Sequence, residues 1–150
     1  MSVVVRSSVF DDIAAVALRM REDDVREAQA MGHSPSEALT RGYNWSKWCM
    51  TVLVNDVPAA MFGVGSHDGI GIVWALGTDD LTHRAVVEVS RVHLPRLEAE
   101  FEYLGNLVDA RNEVHVGWLK RLGFEILGRT EKGPDRREFL VFGKRSAGAA

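Results

Sequence analysis

Four side chains in the second half of the chain could move a proton: His83, Tyr103, Asp109 and His115. Imidazole changes charge near neutral pH, and a phenol or a carboxyl can give or take a proton when positioned for it. His115 lies inside Asn112-Glu-Val-His-Val-Gly-Trp-Leu-Lys-Arg-Leu-Gly-Phe124, and Asp109 stands just before it. The run Asp109-Ala-Arg-Asn112 also has the make-up of a segment that organises a turn into a helix. A second kind of chemistry is suggested by Gly77-Thr-Asp-Asp-Leu-Thr-His-Arg84, a turn that opens a helix. Backbone N–H groups at such a junction can face anionic oxygens. This turn has one glycine, and Asp79 and Asp80 would repel a phosphate, although carboxylates suit a helix start that carries no ligand. Five scattered histidines and one cysteine provide no zinc spacing, so no metal site is expected. Cys49 cannot form an internal disulfide, and beside Trp48 it reads as a small buried hydrophobe rather than a nucleophile.

These groups need a scaffold, and 150 residues at 46% hydrophobic and 26% charged make one globular domain with a core. Residues 1–145 form that domain, and Ser146-Ala-Gly-Ala-Ala150 is a tail of small residues. No apolar run reaches the roughly 20 residues of a membrane span, and Met1-Ser-Val-Val-Val-Arg6 is too short for a secretory segment. A net charge of −3 argues against nonspecific nucleic-acid binding. A lone cysteine fits a reducing compartment.

Val3 to Val5 suit a first strand. Asp11 is expected to cap a helix carrying Ile13, Val16, Ala17 and Met20, and Arg21-Glu-Asp-Asp-Val-Arg-Glu27 reads as its solvated continuation, ended by Gly32. Ser34-Pro-Ser-Glu37 carries the signature of a capping box and starts a helix running to about Gly42. Strands follow over residues 48–54, 58–64 and 71–76, joined by turns at Asn55-Asp56 and Ser66-His-Asp-Gly69. The run Ile72-Val-Trp-Ala-Leu76 is apolar on both faces, as in a central strand. A long helix over residues 82–101 should bury Val86, Val89, Leu97 and Phe101 and kink at Pro95. Then come a strand (103–108), a helix (112–122) and two strands (125–129, 137–142) turned by Gly133-Pro-Asp135. In the late helix Asn112 is the N-cap, Val116, Leu119 and Leu122 form the apolar stripe, and Gly123 takes the left-handed position past the end.

The Asn112 helix with Gly123-Phe124 at its end, preceded by a β-run, resembles the C-terminal motif of the GCN5-related N-acyltransferases, the GNAT superfamily. The element order from residue 3 to 142 is similar to that family's throughout. The resemblance implies an α/β fold with a central mixed sheet of about six or seven strands flanked by about four helices. It also implies an acyl-CoA site. Backbone amides of strand 71–76 would hold the pantetheine arm, and Leu76, Gly77, Thr78 and Asn112 would face the cofactor. Two departures argue against catalysis. The turn after Leu76 lacks the family's spaced pair of small residues. Leu119 stands where many members place a Tyr as general acid, and leucine has no proton to give. His115 and Tyr103 are the substitute donors, and Asp109 and His83 the candidate bases.

A narrower resemblance rests on Arg6-x-Ser8, Gly32-His-Ser-Pro35, Pro58-Ala-Ala-Met-Phe-Gly63, Val73-Trp-Ala-Leu-Gly-Thr78 and Trp118-Leu-Lys-Arg-Leu-Gly123. It is to the small GNAT-like proteins of tailed bacteriophages, a group that includes the internal virion protein A of podoviruses. It implies a protein made in host cytoplasm and carried in or on the virion, with no cofactor and with protein partners: other virion proteins or a second copy. The alternatives are an acetyl-CoA-dependent N-acetyltransferase with a divergent pyrophosphate turn, and a soluble modulator of a host protein. Tyr43, Trp45 and Trp48 would border the acceptor groove of an enzyme or anchor an interface.

Overall fold

The computed structural model describes residues 1–147. Twelve elements follow in order: β1 (Val3–Ser7), α1 (Asp11–Leu18), α2 (Glu22–Ala30), α3 (Pro35–Trp45), β2 (Trp48–Val54), β3 (Val57–His67), β4 (Ile70–Gly77), α4 (His83–Glu100), β5 (Tyr103–Asp109), α5 (Glu113–Arg121), β6 (Glu125–Lys132) and β7 (Arg137–Arg145). The strands form one seven-stranded sheet in the order β1-β2-β3-β4-β5-β7-β6. Every neighbouring pair is antiparallel except β4 and β5.

Local chemistry accounts for the connections. Asn55 and Asp56 both take positive φ, 50° and 66°, and so do Asp68 and Gly69, 51° and 79°. Two such residues make the two-residue turn whose twist matches a hairpin, and each joins consecutive strands of the β2-β3-β4 meander. Two connections are crossovers: α4 carries the chain from β4 to β5, and α5 carries it from β5 past β7 to β6. Two cores result, one on each face of the sheet. Leu97 and Phe101 of α4 pack with Val64, Leu104, Val108, Phe124 and Phe142. On the opposite face Ile13, Val16 and Leu39 pack with Met61 and Leu76.

Several expectations hold in detail. The Ser34 side chain accepts from the Glu37 N–H while the Glu37 carboxylate accepts from the Ser34 N–H, completing the capping box. Asn112 caps α5. Gly123, at φ +93°, closes that helix with Phe124 N–H on the Leu119 carbonyl and Gly123 N–H on that of Lys120. This is the paired end-closure that a left-handed residue permits. Helix α4 runs through Pro95.

Other expectations are corrected. Phe10, not Asp11, holds the N-cap of α1 and makes no side-chain cap bond; it is Asp12 whose carboxylate takes the Val9 N–H at 2.9 Å. Residues 21–27 do not continue α1. Met20 bridges to Thr78 beside the end of β4 and breaks the helix, so α2 is separate from α1. Nor is that segment wholly solvated: Arg21 and Asp24 are buried. Of the small-residue tail, Ser146 donates its N–H to the Glu102 carbonyl, and residues 148–150 lie outside the described residues.

Gly133 ties the β6–β7 turn to α2. At φ +79° a Cβ there would fall 1.7 Å from the Ala30 carbonyl oxygen, whereas at Gly69, with the same φ, it would meet nothing within 4 Å. Gly133→Ala should therefore lower stability by about 2–3 kcal/mol and Gly69→Ala by about 1 kcal/mol, read from urea unfolding of the two variants.

Candidate functional site

The one parallel pairing of the sheet is short. Gly71 meets Leu104 and Ile72 meets Gly105, after which β4 and β5 part. Asn106 fills the first gap, its amide donating to the Val73 carbonyl at 2.8 Å while its own oxygen accepts the Leu107 N–H at 2.7 Å. Past that point β4 loses its neighbour. Ala75, mid-strand and expected to be buried on a central strand, is exposed. A cavity of about 560 Å³ occupies the split and takes its walls from both faces of the sheet. On one face stand Val86, Val89, Ser90 and His93 of α4, and on the other Glu27 and Met31 with Arg41 and Trp45 of α3. Leu119, Leu122 and Trp118 of α5 close its side, so the leucine in place of a tyrosine forms apolar wall.

A buried polar cluster seals the carboxyl ends of the parted strands. Asp24, fully buried, accepts the Gly77 N–H at 2.8 Å on one oxygen. Its other oxygen accepts the Asn112 amide at 3.0 Å and an Arg21 guanidinium N–H at 2.9 Å. The Arg21 guanidinium also donates to the Asn112 oxygen at 3.2 Å and lies 5.5 Å from the centre of the Trp118 ring. Arg21 N–H donates to the Gly77 carbonyl at 2.9 Å. Thr78 is bound to the Ala59 carbonyl through both its N–H and its hydroxyl. Leu76, Gly77, Thr78 and Asn112 thus come together at one end of the split, with the Gly77 amide already engaged.

The proton-transfer candidates fare unequally. His115 lines the cavity, stacked on Trp118 with ring centres 5.2 Å apart and 3.5 Å from Asp24. Burial lowers its pKa against the pull of Asp24, so at neutral pH it lacks the extra proton of an acid. Asp109 is no base. Burial alone would raise it, but hydrogen bonds from the Arg111 guanidinium and N–H hold it below the usual range, and the segment is the turn organiser its composition suggested. Tyr103 begins β5, at the end away from Asp109, and is exposed. His83 sits at the start of α4 against Arg121, 3.1 Å away. Cys49 is half-buried against the Ser8 hydroxyl, and burial pushes its thiol up. Among the described residues no cluster of three His, Cys, Asp or Glu is placed to hold a metal.

Glu27 is the group that the sequence reading missed. It projects from α2 onto the cavity wall and accepts the Asp109 N–H at 2.7 Å. Burial is the main reason its pKa rises to about 7; the nearby Asp24 and Asp109 carboxylates push it further, while hydrogen bonds from the Asp109 N–H and Asn112 oppose. A carboxyl at that value is half-ionised near neutrality, as a general base must be. The available signal was Arg21, Asp24 and Glu27 at successive intervals of three, one face of a helix.

Past the turn that follows Thr78, Thr82 caps α4, its hydroxyl taking the Ala85 N–H at 3.2 Å. The amides of His83 and Arg84 precede the first intrahelical donors. Asp80, one of the two repelling carboxylates, is paired with Arg19.

No protein-family model matches the sequence, nor does any curated protein sequence. Solved structures do match in fold. An acetyltransferase of the GNAT family from Streptococcus pneumoniae aligns with TM-score 0.66 at 15% identity over 97% of this chain and 100% of its own. A ribosomal-protein-alanine N-acetyltransferase from Brucella melitensis aligns with TM-score 0.68 at 12% identity over 95% and 99%. AAC(6')-Ib, solved with ribostamycin and coenzyme A, aligns with TM-score 0.70 at 15% identity over 97% and 94%. The chain has the GNAT acyltransferase fold. These matches give no support to a relation with phage or virion proteins.

Proposed function

We propose that the chain is an acyl-CoA-dependent N-acyltransferase. The observation that carries this reading is the cavity in the β4–β5 split, walled from both faces, with Glu27 on one side. The residues present fit such a donor. Apolar side chains of α4 and α5 suit a pantetheine arm, and the His83 and Arg84 amides beside Arg121 suit its phosphates. Bound acyl-CoA supplies an acyl group activated as a thioester. Glu27 takes the proton of the acceptor amine, held in place by the Asp109 N–H. Leu119, Leu122 and Val86 keep water from the split. Leu76 and Thr78 shape the pocket, and Asn112 positions Asp24 and Glu27 from the α5 N-terminus.

A second reading, a scaffold that has lost its cofactor and serves as a virion component, assembly protein or modulator of a host protein, draws on the Gly77 amide being spent on Asp24. Calorimetric titration with acetyl-CoA separates the two. Micromolar binding, and release of CoA thiol with an amine present, is the expected result. No heat at millimolar ligand would overturn the enzyme reading and move the search to purified phage particles and pull-down partners.

A further inference from the structure

The cavity wall holds two charged side chains, and both stand on the α2–α3 side: the carboxylate of Glu27 and the guanidinium of Arg41. The α4 wall opposite offers Ser90 and His93, and burial holds His93 below its ordinary pKa. Among the described residues Arg41 makes no hydrogen bond and no salt bridge. Its carboxylate neighbour one turn earlier, Glu37, spends an oxygen on the Ser34 N–H at 3.0 Å and feels Arg41 only at a distance. Arg41 is exposed and borders both this cavity and a smaller surface pocket shared with His33 and Glu37. A guanidinium at that rim is suited to a planar anion, which it grips through two parallel N–H donors.

The surroundings of Arg41 narrow the ligand further. Trp45, one helical turn on, lies across Gly65 so closely that a Cβ there would fall 2.2 Å from its ring. Trp74 lies against Gly42, where a Cβ would come within 2.6 Å, and its Nε1–H donates to the Ser46 hydroxyl at 2.6 Å. Both rings are therefore fixed before any ligand arrives, and Trp45 remains 52% exposed. Fixed aromatic surface of this kind favours an apolar or aromatic body at little entropic cost.

We propose that the acceptor is a small amine that also carries a carboxylate and an apolar or aromatic body, that is, a free amino acid of this type. Its carboxylate pairs with Arg41, its side chain lies against Trp45 and Trp74, and its amine faces Glu27. This rests on the acyltransferase reading above. In the transfer the C–N bond forms as the thioester C–S bond breaks, the surplus proton of the amine goes to Glu27, and the released thiolate is protonated from solvent.

The test is thiol release from acetyl-CoA with phenylalanine, tryptophan and methionine, each set against its own amide. Acids should be turned over with kcat/KM at least about 10-fold above the amides, the range of one charge-assisted contact. Arg41→Ala should erase that preference by raising KM for the acids about 10- to 100-fold with kcat little changed, and Arg41→Lys should restore part of it. Equal use of acids and amides, no turnover of any acid by a protein that binds acetyl-CoA, or an equal loss for both series in Arg41→Ala would overturn the proposal and leave the acyltransferase reading standing. Failure to bind acetyl-CoA in the separate titration would remove both.

Discussion

Asp24→Ala should cost about 3–5 kcal/mol of folding stability, a large share of the roughly 5–15 kcal/mol that a domain of this size holds. The carboxylate is fully buried and serves three donors on three segments: the Gly77 N–H at the end of β4, the Asn112 amide at the start of α5, and Arg21 before α2. Its removal strands a buried guanidinium whose Nε already lacks a partner. It also leaves the Gly77 N–H unpaired where water is excluded. Asp24→Asn should be milder, because an amide oxygen can still take the Gly77 N–H while the charge opposite Arg21 is lost. Urea unfolding of the two variants checks this. A loss under about 1 kcal/mol for alanine would mean that relaxation lets Arg21 reach solvent and that the cluster does not hold the parted strands. Should both variants fold poorly, a cycle with Arg21→Met isolates the pair, since a neutral partner of similar volume removes the stranded charge.

The same cluster marks where reading from residues reaches its limit. Elements with local punctuation were legible: the capping box at Ser34, the Gly123 closure of α5 and the Asn55-Asp56 turn each depend on a few neighbouring residues. The order of elements followed from these, and with it the fold. The site depends instead on where strands distant in sequence stop pairing. Nothing in Ile72-Val-Trp-Ala-Leu76 announces that β5 leaves it after Ile72, because the departure is a property of the pair and not of either run. The charged stretch before Ala28 misled for a related reason. Acidic residues on a helix face water unless a partner element supplies donors, and the donors here come from residues 77, 109 and 112. Asp109, expected as a base, and Asn112, expected to face a cofactor, hydrogen-bond to Glu27 and Asp24. Their work is to hold Glu27 and Asp24 in position, and only the fold brings those carboxylates to them.

Glu27→Gln should reduce acyl transfer by about 10²- to 10⁴-fold in kcat with little change in acetyl-CoA affinity, since glutamine keeps the shape and cannot take a proton. The pH profile provides the sharper check. Wild-type kcat/KM should rise with pH through about 7, where Glu27 ionises, and level off above it. In the variant that limb should vanish. Stability should move the other way. A carboxyl whose pKa is raised by folding binds more protons folded than unfolded between its ordinary value and about 7. The folded state therefore loses stability as pH climbs through that window and has lost the whole contribution above it. Glutamine carries no such penalty and still accepts the Asp109 N–H. Glu27→Gln should thus melt higher than wild type at pH 8, with the difference shrinking toward pH 4.5. A protein that gains stability on losing a side chain, and loses activity with it, holds that side chain for function. If the variant neither melts higher at pH 8 nor loses the rising limb, Glu27 is an ordinary helix carboxylate and the base lies elsewhere in the split.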